Sequence, residues 1–161
     1  MKEFHSLEAL ALHLGEMAIQ QHEMGKHALE RAAILLQGEA KKKIGTYQGA
    51  AGEFVAWAQL ADSTMADRAH QGYPEDEPLL RDGTMRDSIE RKSDAQEAHV
   101  GSDLDVFVYQ ELGTEKIPPR SVLGATAVEK GEKVAEIVGE AATAALVGQG
   151  VFGGRLKLLG D

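Results

Sequence analysis

The chain has 161 residues, no cysteine and a formal net charge of −9 at neutral pH. That length fits one domain with a core of its own. The lack of cysteine excludes a disulfide framework and cysteine-ligated zinc, and the acidic balance argues against sequence-independent binding of nucleic acid, which a basic surface normally carries. Aromatic residues make up only 5% of a chain that is 43% hydrophobic, so the core must be built mainly from Ala, Leu, Val and Ile.

No apolar run approaches the ~18 residues that span a bilayer. Glu8, His13 and Glu16 break the N-terminal stretch that a secretory signal would need, so synthesis and use in the cytoplasm are expected. Residues 1–45 read as a long helical region. Ser6 stands as a cap, and Leu7, Leu10, Leu14, Met17, Gln21, Met24, Ala28, Arg31 and Leu35 recur at helical spacing. The pattern can run to about Ile44 and stop at Gly45. Gly15, Gly25 and Gly38 lie inside it, so either one helix of roughly 60 Å or a break near Gly25 or Gly38 is open. An unbroken helix would have to project or pack on another subunit.

Residues 46–83 read as loop-rich, with a short helix capped at Asp62 or Ser63 and running through Ala69. An acidic, Pro-bounded loop, HQGYPEDEP, follows. Residues 84–121 carry most of the strand signal. Thr84–Lys92, Glu97–Ser102 and Asp105–Tyr109 are expected as strands of an antiparallel meander, the third with Val106 and Val108 facing one way and Phe107 and Tyr109 the other. Residues 122–147 return to a helical pattern, and 148–161 form a Gly-rich apolar tail that includes Leu156 and Leu158. The expected fold is a single α+β domain, with long N- and C-terminal helices packed on a small antiparallel sheet of three to four strands.

The search for chemistry yields little. His22 and His27 resemble a metalloprotease helix, but they are five apart rather than four, so the rings diverge by about 140°. Glu75, Asp76 and Glu77 lack the alternation of a calcium loop, and Gly148–Gly153 does not lie between a strand and a helix as a dinucleotide loop would. No serine has a nucleophile-elbow setting. Lys41, Lys42 and Lys43 suit a helix C-terminus, and Arg81, Arg86 and Arg91 suit a solvated strand face. Neither catalytic residues, cofactor nor metal is expected.

The central stretch, however, resembles a family. Trp57, Leu60 and Thr64 are followed by Leu80, Gly83, Met85, Ser88 and Ile89, then Val100-Gly101-Ser102. After these come Glu111-Leu112-Gly113-Thr114, Pro118-Pro119-Arg120 and Leu123. Their order and spacing resemble the tail-completion and neck proteins of tailed bacteriophages, of the HK97-type and Mu-type virion morphogenesis groups. The likeness covers roughly residues 28–147, with Val122 standing where an aromatic is more usual.

The resemblance implies a non-enzymatic virion protein of a phage or prophage. It would be made in the host bacterial cytoplasm and located at the neck or tail end. Its partners would be itself, in a ring of possibly six copies, and adjacent neck, connector or tail-tube proteins; double-stranded DNA would pass through without specific binding. Glu111, Gly113, Thr114, Pro118, Pro119, Arg120, Leu156 and Leu158 are then candidate subunit-interface residues. Glu75, Asp76 and Glu77 are a candidate lumen or DNA-facing loop, their charge repelling the duplex. The alternative is a soluble interaction module that uses its helices as a partner surface.

Overall fold

The computed structural model describes residues 6–146. One unbroken helix, α1 (Leu7–Lys43), runs for 37 residues, about 55 Å. Glu8 in its first turn and Lys41, Lys42 and Lys43 in its last complement the helix dipole. Gly15 and Gly38 have open space around them, and Gly25 lies in ordinary contact with the Ala95 carbonyl. None of the three breaks the helix, and Gly45, at φ +98°, ends the run.

After α1 come α2 (Asp62–His70), a single turn α3 (Thr84–Asp87), a hairpin of β1 (Glu90–Ser93) and β2 (Ala98–Gly101), α4 (Asp105–Leu112) and α5 (Leu123–Leu146). The architecture is α+β. Its sheet, among the described residues, has two antiparallel strands, with Glu90 opposite Gly101 and Ser93 opposite Ala98. The Asp94 side chain accepts the Gln96 and Glu97 amides and closes the hairpin turn.

Two expected strand segments are helical instead. Thr84–Asp87 forms one turn because Gly83 takes φ +89° and the Asp82 carboxylate accepts the Thr84 amide; only the end of the expected Thr84–Lys92 strand is extended. Asp105–Tyr109 belongs to α4. The alternation of Val and aromatic residues there suits a strand in isolation, but in the fold Phe107 alone of the helix is buried, Gln110 and Glu111 are half-buried, and Val106, Val108, Tyr109 and Leu112 are exposed.

The core gathers Ala40, Ile44, Trp57, Leu79, Ile89, Phe107 and Val122. The chain's one tryptophan donates its indole N–H to the Ser121 carbonyl, 3.2 Å away, which satisfies the polar end of a buried ring. The hairpin is tied to α1 by polar contacts. Gln37 donates to the Ile89 carbonyl at 2.7 Å, and Glu30 accepts from Arg91 at 3.2 Å and from the Ser93 hydroxyl. These donors, Ser93 foremost, hold the Glu30 carboxyl below its ordinary range.

Helix α5 lies antiparallel against α1. Near its start, the Lys43 ammonium meets Glu129 at 2.7 Å and Lys130 meets Glu39 at 2.9 Å. Farther along, Val134 and Val138 face Leu29, Ala32 and Ala33 across an apolar groove of about 260 Å³. Ala28, Ala32, Ala33 and Ala145 are buried along this seam, where small side chains let the helices approach closely.

Candidate interaction surface

The segment 104–124 is tied together by hydrogen bonds between α4, the turn and the start of α5. Gln110 and Arg120 are joined through the backbone, the Arg120 amide donating to the Gln110 carbonyl at 2.6 Å. Between them the chain turns through Gly113, at φ +76°. A Cβ there would meet the Pro119 nitrogen and the Ile117 carbonyl at 2.9 and 3.0 Å, so only glycine fits. Thr114 then closes the turn. Its amide donates to the Ile117 carbonyl, and its hydroxyl accepts the Lys116 and Ile117 amides.

Glu111 acts inside the protomer. Its carboxylate accepts the amides of Val122, Leu123 and Gly124 at 2.6, 3.1 and 2.8 Å and the Ser121 hydroxyl at 2.7 Å. These are the otherwise orphaned donors at the start of α5, so a carboxylate from α4 caps the first turn of α5. Gly124 adds a steric lock, because the Phe54 ring packs where its side chain would be.

Arg120 also turns inward and is 5% exposed. Its guanidinium donates to the Ala58 and Gln59 carbonyls and to the Gln110 side chain, and its Nε has no partner. Burial pulls its pKa below the ordinary arginine value, but the group stays charged. Of the expected interface set, then, Glu111 and Arg120 are spent on tethering the turn from within. Gly113 shapes it, and Thr114, Pro118 and Pro119 lie on its solvent side with Glu115 and Lys116. Leu156 and Leu158 lie outside the described residues.

Beside this turn is a surface that the sequence pattern did not point to. Once Asp105–Leu112 is a helix, Val106, Val108, Tyr109 and Leu112 share its outward arc, opposite Phe107. All four are exposed, Leu112 to 75%. A second apolar surface lies on α1. Among the side chains described there, none from Leu7 to Glu23 is buried, and Met24 is the first that is. Some 25 Å of helix therefore extends beyond the core, with Leu7, Leu12, Leu14 and Ile19 exposed.

The acidic loop is held at its base and exposed at its tip. Arg68 is buried and donates to the carbonyls of Glu77 and Leu80 at 2.6 and 3.1 Å, and Gly45 donates to the Pro78 carbonyl. Glu75 and Asp76 point to solvent, while Glu77 is half-buried. Asp76 accepts the Tyr47 hydroxyl, and Tyr47 in turn accepts the Leu60 amide. Burial, with the Asp76 bond second, raises the Tyr47 pKa.

Among the described residues no group of three or more His, Asp or Glu side chains is arranged to hold a metal ion. No described helix is long and apolar enough to cross a membrane. Chemically, the hydrogen-bonded turn, the α4 face and the projecting half of α1 can bury apolar area against another protein surface. Compared with models of protein families, with curated proteins and with solved structures, the chain finds no match.

Proposed function

We propose that this chain is a structural protein of a tailed-phage or prophage particle, acting in head–tail joining or tail completion as the repeating unit of a ring. One observation carries the reading: the protomer holds two separate apolar surfaces outside its core, the α4 face and the projecting half of α1. A ring needs two different patches on each copy, because a closed head-to-tail interface joins unlike surfaces. The resemblance of residues 28–147 to neck and tail-completion proteins supplies the setting.

In this reading the turn at 113–119 and the α4 face meet the neighbouring copy, and the projecting helix reaches the next ring or an adjacent neck, connector or tail-tube protein. The finer expectation of a third or fourth strand would be met on assembly, by an edge of the hairpin pairing with a neighbour's chain. Glu75 and Asp76, exposed at the loop tip, would line the bore and keep passing DNA from sticking.

Light scattering combined with negative-stain imaging tests the reading. Rings with a bore wide enough for a duplex are the expected result. A compact monomer or dimer at all concentrations, unchanged when phage neck components are added, would overturn it and leave a soluble interaction module in its place.

A further inference from the structure

We infer that the outer edge of β2 takes an extended strand from another protein, with two aliphatic side chains of that strand seated in the groove between β2 and α5. The hairpin register decides which backbone groups are available. The Asp94 amide donates to the Glu97 carbonyl at 2.9 Å, so these two residues flank the turn as a hydrogen-bonded pair. Bonded and non-bonded pairs alternate along an antiparallel ladder. Lys92 and His99 are therefore bonded to each other, while Ala98 and Val100, opposite Ser93 and Arg91, turn their amides and carbonyls away from β1. Among the described residues nothing pairs with these outward groups.

The edge borders an apolar groove. Leu29 and Leu36 of α1 form its floor, Val134 and Val138 of α5 its far wall, and Ala98 and Val100 its near wall; no charged residue lines it. In a strand added antiparallel to β2, the residues that bond to Ala98 and Val100 put their side chains on the same face as these two, over the groove. A cavity of about 150 Å³ holds one benzene-sized group, so the groove's roughly 260 Å³ takes about two side chains. The residue between them faces solvent in a row with His99 and Lys92. His99 already meets Glu97 at 3.1 Å, whereas Lys92 is exposed and makes no ion pair among the described residues. An acidic residue in that row complements it.

The occupant is thus extended and reads aliphatic, acidic, aliphatic, the recognition mode of a peptide added to a sheet edge. The outer edge of β1 does not compete for it, because the cleft against β1 is polar, lined by Glu30, Gln37, Glu90 and Arg91. In this chain the runs of that pattern at 7–9, 104–106 and 135–137 lie in α1, at the start of α4 and in α5, so the strand comes from a different protein. The inference goes beyond the ring reading and does not rest on it.

A blocked pentapeptide, acetyl-Thr-Val-Glu-Val-Thr-amide, is the probe, and amide hydrogen exchange in the full chain is the readout. The Ala98 and Val100 amides should exchange fast in the protein alone. With a Kd of about 1 mM, peptide at about 2 mM should slow them roughly threefold, and the His99 amide, bonded within the hairpin, should change less. The same peptide with Lys for both Val should have no effect. Val100→Pro removes an outward N–H but no hairpin bond, so it should keep the His99 amide protected and abolish the effect on Ala98. Val138→Glu, at an exposed position of the groove wall, should weaken the effect with the backbone intact.

No slowing by the peptide in the parent protein, or slowing that survives both substitutions, would overturn the inference. So would Ala98 and Val100 amides already protected in dilute protein, because the chain itself then covers the edge. Protection that rises with protein concentration alone would overturn it too, because a second copy then takes the place. Rings formed by a protein whose β2 edge ignores the peptide would sink this inference and leave the proposed function standing; peptide binding without rings would do the reverse.

Discussion

At the residue scale, the decisive group is the Glu111 carboxylate. It receives four donors from the start of α5, three of them backbone amides. In a half-buried site each would be costly to leave unpaired. Glu111→Ala should therefore destabilise the fold by about 2 kcal/mol, read as a lower denaturation midpoint with an unchanged slope. Glu111→Gln keeps an acceptor but loses the charge that favours a helix N-terminus, so it should fall between the two. Equal stability of all three proteins would show that water caps α5 just as well.

The charges between α1 and α5 give a second prediction at this scale. Lys42 first, and Lys130 after it, hold the Glu39 carboxyl down at about 2 from an ordinary 4.5. A carboxyl whose folded pKa is depressed contributes stability above its unfolded pKa and loses it as the pH falls through the folded one. Glu39 should thus add stability above about pH 5 and lose it between there and pH 2. Glu39→Gln should flatten the dependence of unfolding free energy on pH in that window and cost about 0.5–1 kcal/mol near neutrality. Parallel pH profiles for the two proteins would refute the assignment.

At the scale of elements, α4 is where surface and stability separate. Phe107 holds the helix to the core, and the outward arc of Val106, Val108, Tyr109 and Leu112 contributes little to the protomer because it stays in water. Leu112→Lys should leave the thermal midpoint nearly unchanged, within the ~0.5 kcal/mol typical of surface changes. It should also weaken self-association, visible as a smaller mass by light scattering. Phe107→Ala, by contrast, should cost about 3–5 kcal/mol.

Helix α4 was also the least legible element in the sequence. Asp-Val-Phe-Val-Tyr alternates as a strand does, and its β-branched and aromatic residues prefer one. What decides for helix is the tertiary placement of a single phenylalanine, which no local pattern carries. The turn α3 was hidden for a related reason: it depends on the positive φ of Gly83. The helical character of α1 was legible from Ser6 to Gly45 because repeating apolar spacing and a lysine-rich end agree, but its continuity through Gly25 and Gly38 was not, since a glycine inside a helical pattern fits a break as well as an unbroken run. The interface candidates were half legible. The turn residues stood out through Gly113 and the two prolines, but the inward roles of Glu111 and Arg120 depend on partners ten or more positions away.

At the scale of the whole molecule, the question is whether the acidic loop and the turn serve the assembly or the protomer. The loop tip has a clear separation: Arg68 grips its base through carbonyls, while Glu75 and Asp76 are exposed, Asp76 accepting the Tyr47 hydroxyl. Replacing both with their amides should leave folding intact and, in assembled particles, slow DNA ejection; unchanged ejection would remove the repulsive role. The turn is the harder case, because its base is part of the fold. Gln110 and Arg120 pair through the backbone, and the Glu111 cap on α5 lies just inside that pair. The solvent side, from Glu115 to Pro119, carries no side-chain bond to the rest of the described chain beyond Ile117 being half-buried. A shortened turn that keeps Gly113 and Thr114 and replaces Glu115–Pro119 with two glycines should therefore preserve the α5 cap and most of the unfolding free energy, because loop length itself changes the closure entropy only slightly. In the proposed ring, assembly should suffer far more than folding, and the shortened protein should give fewer rings than the parent in negative-stain images taken at equal concentration. If the shortened protein unfolds instead, the prolines are needed to present Arg120 and Glu111 to their internal partners, and the turn belongs to the protomer rather than to its neighbours.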